Sequence, residues 1–221
     1  MSNVTYRDIR ANSTISTMIQ KSNACLEAIG YTDHGPRHVG YVSKIAGSIL
    51  EQLGYDERRW ELAKIAGWVH DVGNMINRKH HGLSSATILF TVLMQAGLDC
   101  EEVCDICSAV GNHEEETGKT VSDVSAALII ADKVDAHKAR VRLKQYNADD
   151  IHDRVNYSIK STSMNIDKEA KVIAFDYTMD KTSSITEFLE IYLKRMRMCE
   201  KAASFLGCSF SLSFNGIRIN M

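Results

Sequence analysis

Leu62-Ala63-Lys64-Ile65-Ala66-Gly67-Trp68-Val69-His70-Asp71-Val72-Gly73 is the stretch that decides how this chain is read. Leu62, Ile65, Ala66 and Val69 recur at i, i+3, i+4 and i+7, which on an α-helix forms one apolar stripe facing a core. Asp56 stands where an N-cap is needed, and Gly73 is expected to end the helix in a left-handed cap. Such a helix carries His70 and Asp71 to its C-terminal end, at the edge of a buried face, where two polar side chains must find partners.

The same period extends on both sides. Upstream, Pro36 suits the first position of a helix continued by Val39, Val42, Ile45, Ala46, Ile49, Leu50 and Leu53 and closed by Gly54. Downstream, one helix is expected from Ser84 to Gly97, another from Cys100 to His113, and a long one from Ser122 toward Lys144. Residues 1–146 therefore read as a helical domain. Past Asn147-Ala148-Asp149-Asp150 the period becomes two, with Ile173, Phe175 and Tyr177 alternating to give a strand over 171–178. Ser184 and Glu187 form a capping box that opens a helix running to Leu206 and stopped by Gly207. Phe210, Leu212 and Phe214 then lead through an Asn215-Gly216 hairpin turn to Ile217 and Ile219. The expected fold is mainly α, with residues 147–221 as a small α+β appendage, antiparallel strands plus one long helix, packed on the helical core.

Composition sets the class. The 221 residues are 44% hydrophobic and 24% charged, the balance of a soluble globular chain rather than of disorder or a coiled coil. No apolar run is long enough to span a bilayer, and Met1–Asn12 is polar with no signal-peptide core, so a cytoplasmic location and no membrane partner are expected. A net charge of −2 gives no electrostatic case for general nucleic-acid binding. Six cysteines in a chain of this length do not make a disulfide framework and fit a reducing compartment. A homodimer stays open.

Chemistry concentrates at the ends of the expected helices. His38 lies in the first turn after Pro36, His70-Asp71 at the end of the second helix, His81 just before the third, and His113 at the end of the fourth. Asp132 follows Ala126-Ala127-Leu128-Ile129-Ile130-Ala131, a stretch apolar on all faces, so its carboxylate is expected to be buried. A buried carboxylate keeps its charge only with a metal ion or an ion pair, and imidazole plus carboxylate is the ligand set of Mn, Fe, Co or Zn with open positions.

These residues, read as His34-x3-His38-x3-Val42, His70-Asp71-x-Gly73, His81-x3-Ser85-Ala86, His113-Glu114 and Ala131-Asp132-Lys133-x-Asp135-Ala136, resemble the HD-domain superfamily of metal-dependent phosphohydrolases over about residues 34–142. The resemblance implies one divalent metal on His38, His70, Asp71 and Asp132, and a second on His81 and His113 with Asp71 bridging. The ion, one or two of Mn, Fe, Co, Zn, Ni or Mg, would activate water against a nucleotide or other small phosphorylated metabolite. Asp71 and Lys133 are the expected catalytic residues, and His34, Arg37, Arg78 and Lys133 the expected substrate-binding ones. A phosphodiesterase or nuclease acting on a diester, and a nucleotide sensor without turnover, use the same pocket and stay open. The Glu-Asp pair of the ppGpp hydrolases is replaced here by Asn74-Met75, and no Gly-Tyr-Pro follows His113, so the resemblance does not extend to the ppGpp or cyclic-di-GMP branches.

Four other patterns are set aside. Cys100-x3-Cys104-x2-Cys107 has the spacing of an iron-sulfur loop, but it falls on a helix, where buried small cysteines are expected instead. Gly111 through Gly118-Lys119-Thr120 resembles a phosphate-binding loop, yet six residues separate its glycines where four are required. Arg140, Arg142 and Lys144 are expected on a solvated helix face, and His152-Asp153 is expected to be structural or peripheral.

Overall fold

A computed structural model describes residues 4–219 of the chain. Helices α1 (Tyr6–Ala11) and α2 (Ser13–Ala28) precede α3 (Pro36–Leu53) and α4 (Glu57–Val69), which pack against each other. The start signals operate as read: Pro36 opens α3, Gly54 caps its end, and the Asp56 side chain accepts from Arg59 N at the start of α4. Then come α5 (His81–Gln95), α6 (Cys100–Gly111) and α7 (Asp123–Lys133). Helix α7 is the central rod, buried from Val124 to Ala131 and touching α3, α4 and α6.

Gly73 is not a left-handed cap. It sits in a 3-10 turn (Val72–Met75), where its N–H bonds Ser85 Oγ at 2.7 Å. A Cβ at this position would fall 2.2 Å from the His81 carbonyl oxygen, so the glycine is required by close packing rather than by a left-handed backbone. Helix α5 starts at His81 and not at Ser84, because the distant Glu114 carboxylate caps Gly82 N at 3.0 Å. Helix α7 ends at Lys133, eleven residues short of Lys144. Past it the Val134 carbonyl accepts from the distant Tyr177 Oη at 2.8 Å and the Asp135 carbonyl from the nearby Arg140 Nη1 at 2.9 Å, so side-chain donors take the oxygens that a continuing helix would use. Cys100 and Cys104 are exposed and Cys107 half-buried, since α6 buries its Val103, Ile106 and Val110 edge instead.

The C-terminal part holds α8 (Ile151–Ser158), β1 (Ile159–Asp167), β2 (Val172–Met179), α9 (Ile185–Phe205), β3 (Ser209–Phe214) and β4 (Ile217–Ile219). The sheet order is β1-β2-β3-β4. β1/β2 and β3/β4 are antiparallel, but β2 and β3 run parallel with Phe175 opposite Leu212, so the sheet is mixed. The parallel pair follows from α9, which crosses over between the two strands. β1 carries no apolar alternation, being Ile159-Lys160-Ser161-Thr162-Ser163-Met164-Asn165-Ile166-Asp167, so periodicity alone does not mark it as a strand. The capping box of Ser184 and Glu187 and the Asn215-Gly216 turn, with φ of 52° and 78°, form as read. Phe188 of α9 packs on Tyr177 and Phe214, and α9 also lies against α7, so one continuous apolar core joins the sheet to the helices. Among the described residues, no helix is long and apolar enough to cross a membrane.

Candidate metal centre

Four helix ends meet beneath α3. His38 sits in the first turn of α3, His70 caps α4, His81 begins α5, His113 follows α6, and Asp132 is the penultimate residue of α7. Each histidine has one ring nitrogen tied to an acceptor. His70 Nδ1 donates to Gly67 O at 2.9 Å, His81 Nδ1 to Arg78 O at 3.0 Å and His113 Nδ1 to Val110 O at 2.6 Å. His38 Nδ1 donates to Asp135 Oδ2 at 2.7 Å. A carbonyl can only accept, so the proton is on Nδ1 and the Nε2 lone pair is left facing inward.

Those lone pairs converge in two pairs. His38 Nε2 and His70 Nε2 are 3.3 Å apart, and His81 Nε2 and His113 Nε2 are 3.1 Å apart. Two imidazole lone pairs at such a separation repel unless a cation, proton or metal, lies with them. Asp71 stands between the pairs. Its Oδ2 is 3.5 Å from His38 Nε2 and 3.4 Å from His70 Nε2, while its Oδ1 is 3.2 Å from His81 Nε2 and 3.9 Å from His113 Nε2. Asp132 Oδ1 joins the first pair at 3.5 and 3.7 Å. Asn74 Nδ2 donates to Asp71 Oδ1 at 2.9 Å and holds the carboxylate in place.

The electrostatics ask for positive charge. Burial alone would raise the Asp71 carboxyl, but His70, His38 and His81 hold it well below the usual carboxylate range. Burial opposes ionisation of Asp132 too, and Lys133 and His70 overcome it in the same direction. On His113 burial, reinforced by His81 and His70, keeps the ring neutral. On His70 burial works against the charge, yet Asp71 and Asp132 outweigh it and push the ring up to about 10. Buried imidazoles with Nδ1 fixed as the donor, among ionised carboxylates that hold a proton on His70 when no metal is bound, fit a divalent metal that takes that proton's place. Three overlapping groups have ligand atoms within 4.8 Å of one another: His38, His70 and Asp71; His70, His113 and Asp132; Asp71, His81 and His113. Asp132 is less enclosed than expected, with 13% of its side chain exposed toward the cavity, while Lys133 behind it is buried.

A space of about 20 Å³ beside Asp71 and Asp132 shares His34, Arg78, Arg140 and Arg195 with a larger cavity of about 300 Å³. Tyr31, Tyr192, Asp150, His152 and Asp153 complete much of the larger cavity, so His152-Asp153 is a lining pair, not a peripheral one. Arg140 is only 5% exposed and is no part of a solvated face: its Nη2 donates to His34 Nε2 at 2.8 Å. Burial and the Arg140 charge hold His34 neutral, well below its ordinary value. Arg78 donates to Asn74 Oδ1 at 3.2 Å beside His81. Lys133 Nζ lies 2.5 Å from Asp132 Oδ2 and 3.2 Å from Glu115 Oε1, and it lines the small space. Arg37 lines neither cavity: its Nη2 is 2.5 Å from Asp135 Oδ2, behind His38.

Several residues of the site had no assigned role in the sequence. Asp135 was visible within the Asp132 motif, and Glu114 and Glu115 directly after His113, but proximity in sequence did not say what they touch. Arg195 on α9, donating to Glu115 Oε1 at 2.8 Å, had no local signal at all.

Residues 37–140 match the family model described as HD domain. The chain is also similar to an uncharacterized protein of Methanocaldococcus jannaschii, 22% identical over 219 residues, a match that covers 87% of this chain and 82% of that protein.

Proposed function

Residues 37–140 being an HD domain, the unit of a superfamily of metal-dependent hydrolases, we propose that this chain is a metal-dependent phosphohydrolase of a nucleotide or other small phosphorylated metabolite. The observation that carries the reading is the convergence of the His38/His70 and His81/His113 Nε2 pairs on opposite oxygens of Asp71, next to a cavity flanked by arginines.

His38, His70, Asp71 and Asp132 would hold one divalent ion, and His81, His113 and Asp71 a second. Such ions, of Mn, Fe, Co, Zn, Ni or Mg, polarise a phosphoryl oxygen and acidify water. Asp71, ionised and pinned by Asn74, orients the attacking water. Arg78, Arg140 and Arg195 bind phosphate oxygens where the two cavities adjoin, by charge-assisted hydrogen bonds. Lys133 uses two of its three N–H donors on Asp132 and Glu115 and offers the third to a phosphoryl oxygen. The 300 Å³ cavity takes the body of the substrate against Tyr31 and Tyr192.

Elemental analysis of the purified protein, followed by a panel of phosphomonoesters, nucleoside phosphates and diesters with several divalent ions, tests the reading. Phosphate release that stops with chelator and returns with metal is expected. Asp71→Ala should stay folded by circular dichroism and lose both metal and turnover. Turnover indifferent to chelator, or full activity in the folded Asp71→Ala protein, overturns it.

A further inference from the structure

A second surface for anions lies on the far side of Glu115. A groove of about 740 Å³ between α9 and the loop after α6 is lined by Lys119, Lys194, Arg197 and Lys201, with Met198 and Phe205 supplying apolar surface. Lys194, Arg197 and Lys201 recur at i, i+3 and i+7 along one exposed face of α9, spanning about 10 Å of helix axis. The opposite face buries Phe188, Tyr192, Met196 and Cys199 in the core, so the basic face is fixed in orientation. Lys119 is delivered by a tight turn in which Gly118 N donates to Glu114 O at 2.8 Å. A Cβ at Gly118 would fall 2.1 Å from Asn112 O, so the turn needs glycine. The Gly118-Lys119 pair, which in sequence resembled the end of a phosphate-binding loop, thus meets the groove by another geometry.

Among the described residues, none of the four cations makes an ion pair, and Glu115, the acid in the groove lining, is already shared by Lys133 and Arg195. Glu190, one turn before Lys194, does not line the groove. Four cations without counter-charges call for a chain of anions, and Phe205, 52% exposed among them, calls for flat apolar groups on that chain. Phosphates held by Lys and Arg with bases stacked on an aromatic ring are the chemistry of single-stranded nucleic acid. Inorganic polyphosphate would leave Phe205 unused. We propose that this groove binds a single-stranded oligonucleotide. With a net charge of −2 the chain as a whole does not attract polyanions, so the attraction is local to the groove. Binding here does not rest on the phosphohydrolase reading, because it needs neither metal nor turnover.

Fluorescence anisotropy of a labelled oligothymidylate in chelator-containing buffer, over a salt series, tests the proposal. With about 0.7 counterions released per contacted phosphate, four contacts predict a slope of log affinity on log salt of about −3. The Lys194→Ala/Lys201→Ala protein should show that slope reduced by about 1.4. Phe205→Ala should weaken the oligonucleotide and leave competition by inorganic polyphosphate unchanged. Absence of salt-dependent binding, retention of full affinity when all four cations are changed to alanine, or indifference of the oligonucleotide to Phe205→Ala overturns it. So does binding to phosphatidylserine vesicles in place of the oligonucleotide. A protein that binds oligonucleotide yet holds no metal would defeat the phosphohydrolase reading alone.

Discussion

Replacing Asp135 should weaken metal binding without removing a ligand. Asp135 Oδ2 accepts from His38 Nδ1 at 2.7 Å and from Arg37 Nη2 at 2.5 Å, inside the core. Burial alone would raise its carboxyl, but His38, Arg140 and Arg37 hold it at about 2, so it is a full carboxylate at neutral pH. That charge keeps the His38 proton on Nδ1 and makes Nε2, 3.3 Å from His70 Nε2, the more basic donor. Asp135→Asn preserves shape and can still accept, but a charge-assisted bond becomes a neutral one of about half the strength. Changes of this kind behind a metal ligand cost about 10- to 100-fold in metal affinity, or about 1.4 to 2.7 kcal/mol. Asparagine should fall near the lower bound. Asp135→Leu should fall near the upper, since it leaves His38 no acceptor and Arg37 no partner. Competition against a chromogenic chelator measures the affinity, and circular dichroism with a urea midpoint separates it from unfolding. A folded Asp135→Leu protein that holds metal as tightly as the wild type would refute the tautomer argument.

Changing His81 and His113 together to alanine should lower the metal-to-protein ratio from about two to about one by elemental analysis, because in the proposed assignment the two ion sites have only Asp71 in common; a ratio of one in fully loaded wild type sinks the two-ion reading. Gly73→Ala should destabilise the fold by about 3 kcal/mol in urea titration, since its Cβ would meet the backbone at His81 O and Ser85 N rather than a movable side chain. Burial would raise the Glu115 carboxyl, but Lys133 and Arg195 lower it to about 2. A depressed carboxyl contributes stability that is complete above its ordinary value and lost as pH falls from about 4.5 toward about 2, so Glu115→Gln should flatten the acid limb of the stability curve there. An unchanged limb in that variant would show that the Lys133 and Arg195 pairs contribute nothing to folding.

What the sequence determined by itself is what local chemistry encodes. Apolar residues at helical spacing, Pro36 at a helix start, the Ser184/Glu187 box and the Asn215-Gly216 turn act within one or two turns of chain, so α3, α4, α9 and the last hairpin were legible. The histidines and Asp71 were legible because they fall at the ends of apolar helices, Asp132 because it follows a stretch apolar on all faces, and the family order joined them into one site. Tertiary structure alone decided the rest. Glu114 set the start of α5 and Tyr177 took the Val134 carbonyl, each from more than thirty residues away, while Arg140 took the Asp135 carbonyl from five residues on. The parallel pairing of β2 and β3 required the crossover through α9, and the placing of Arg140, His152 and Arg195 on one cavity required the appendage to pack on α7. Propensity and periodicity describe what a segment does with its neighbours in sequence. Which remote side chain captures a free N–H, carbonyl or carboxylate depends on how the apolar faces stack, and that is settled only when the core closes.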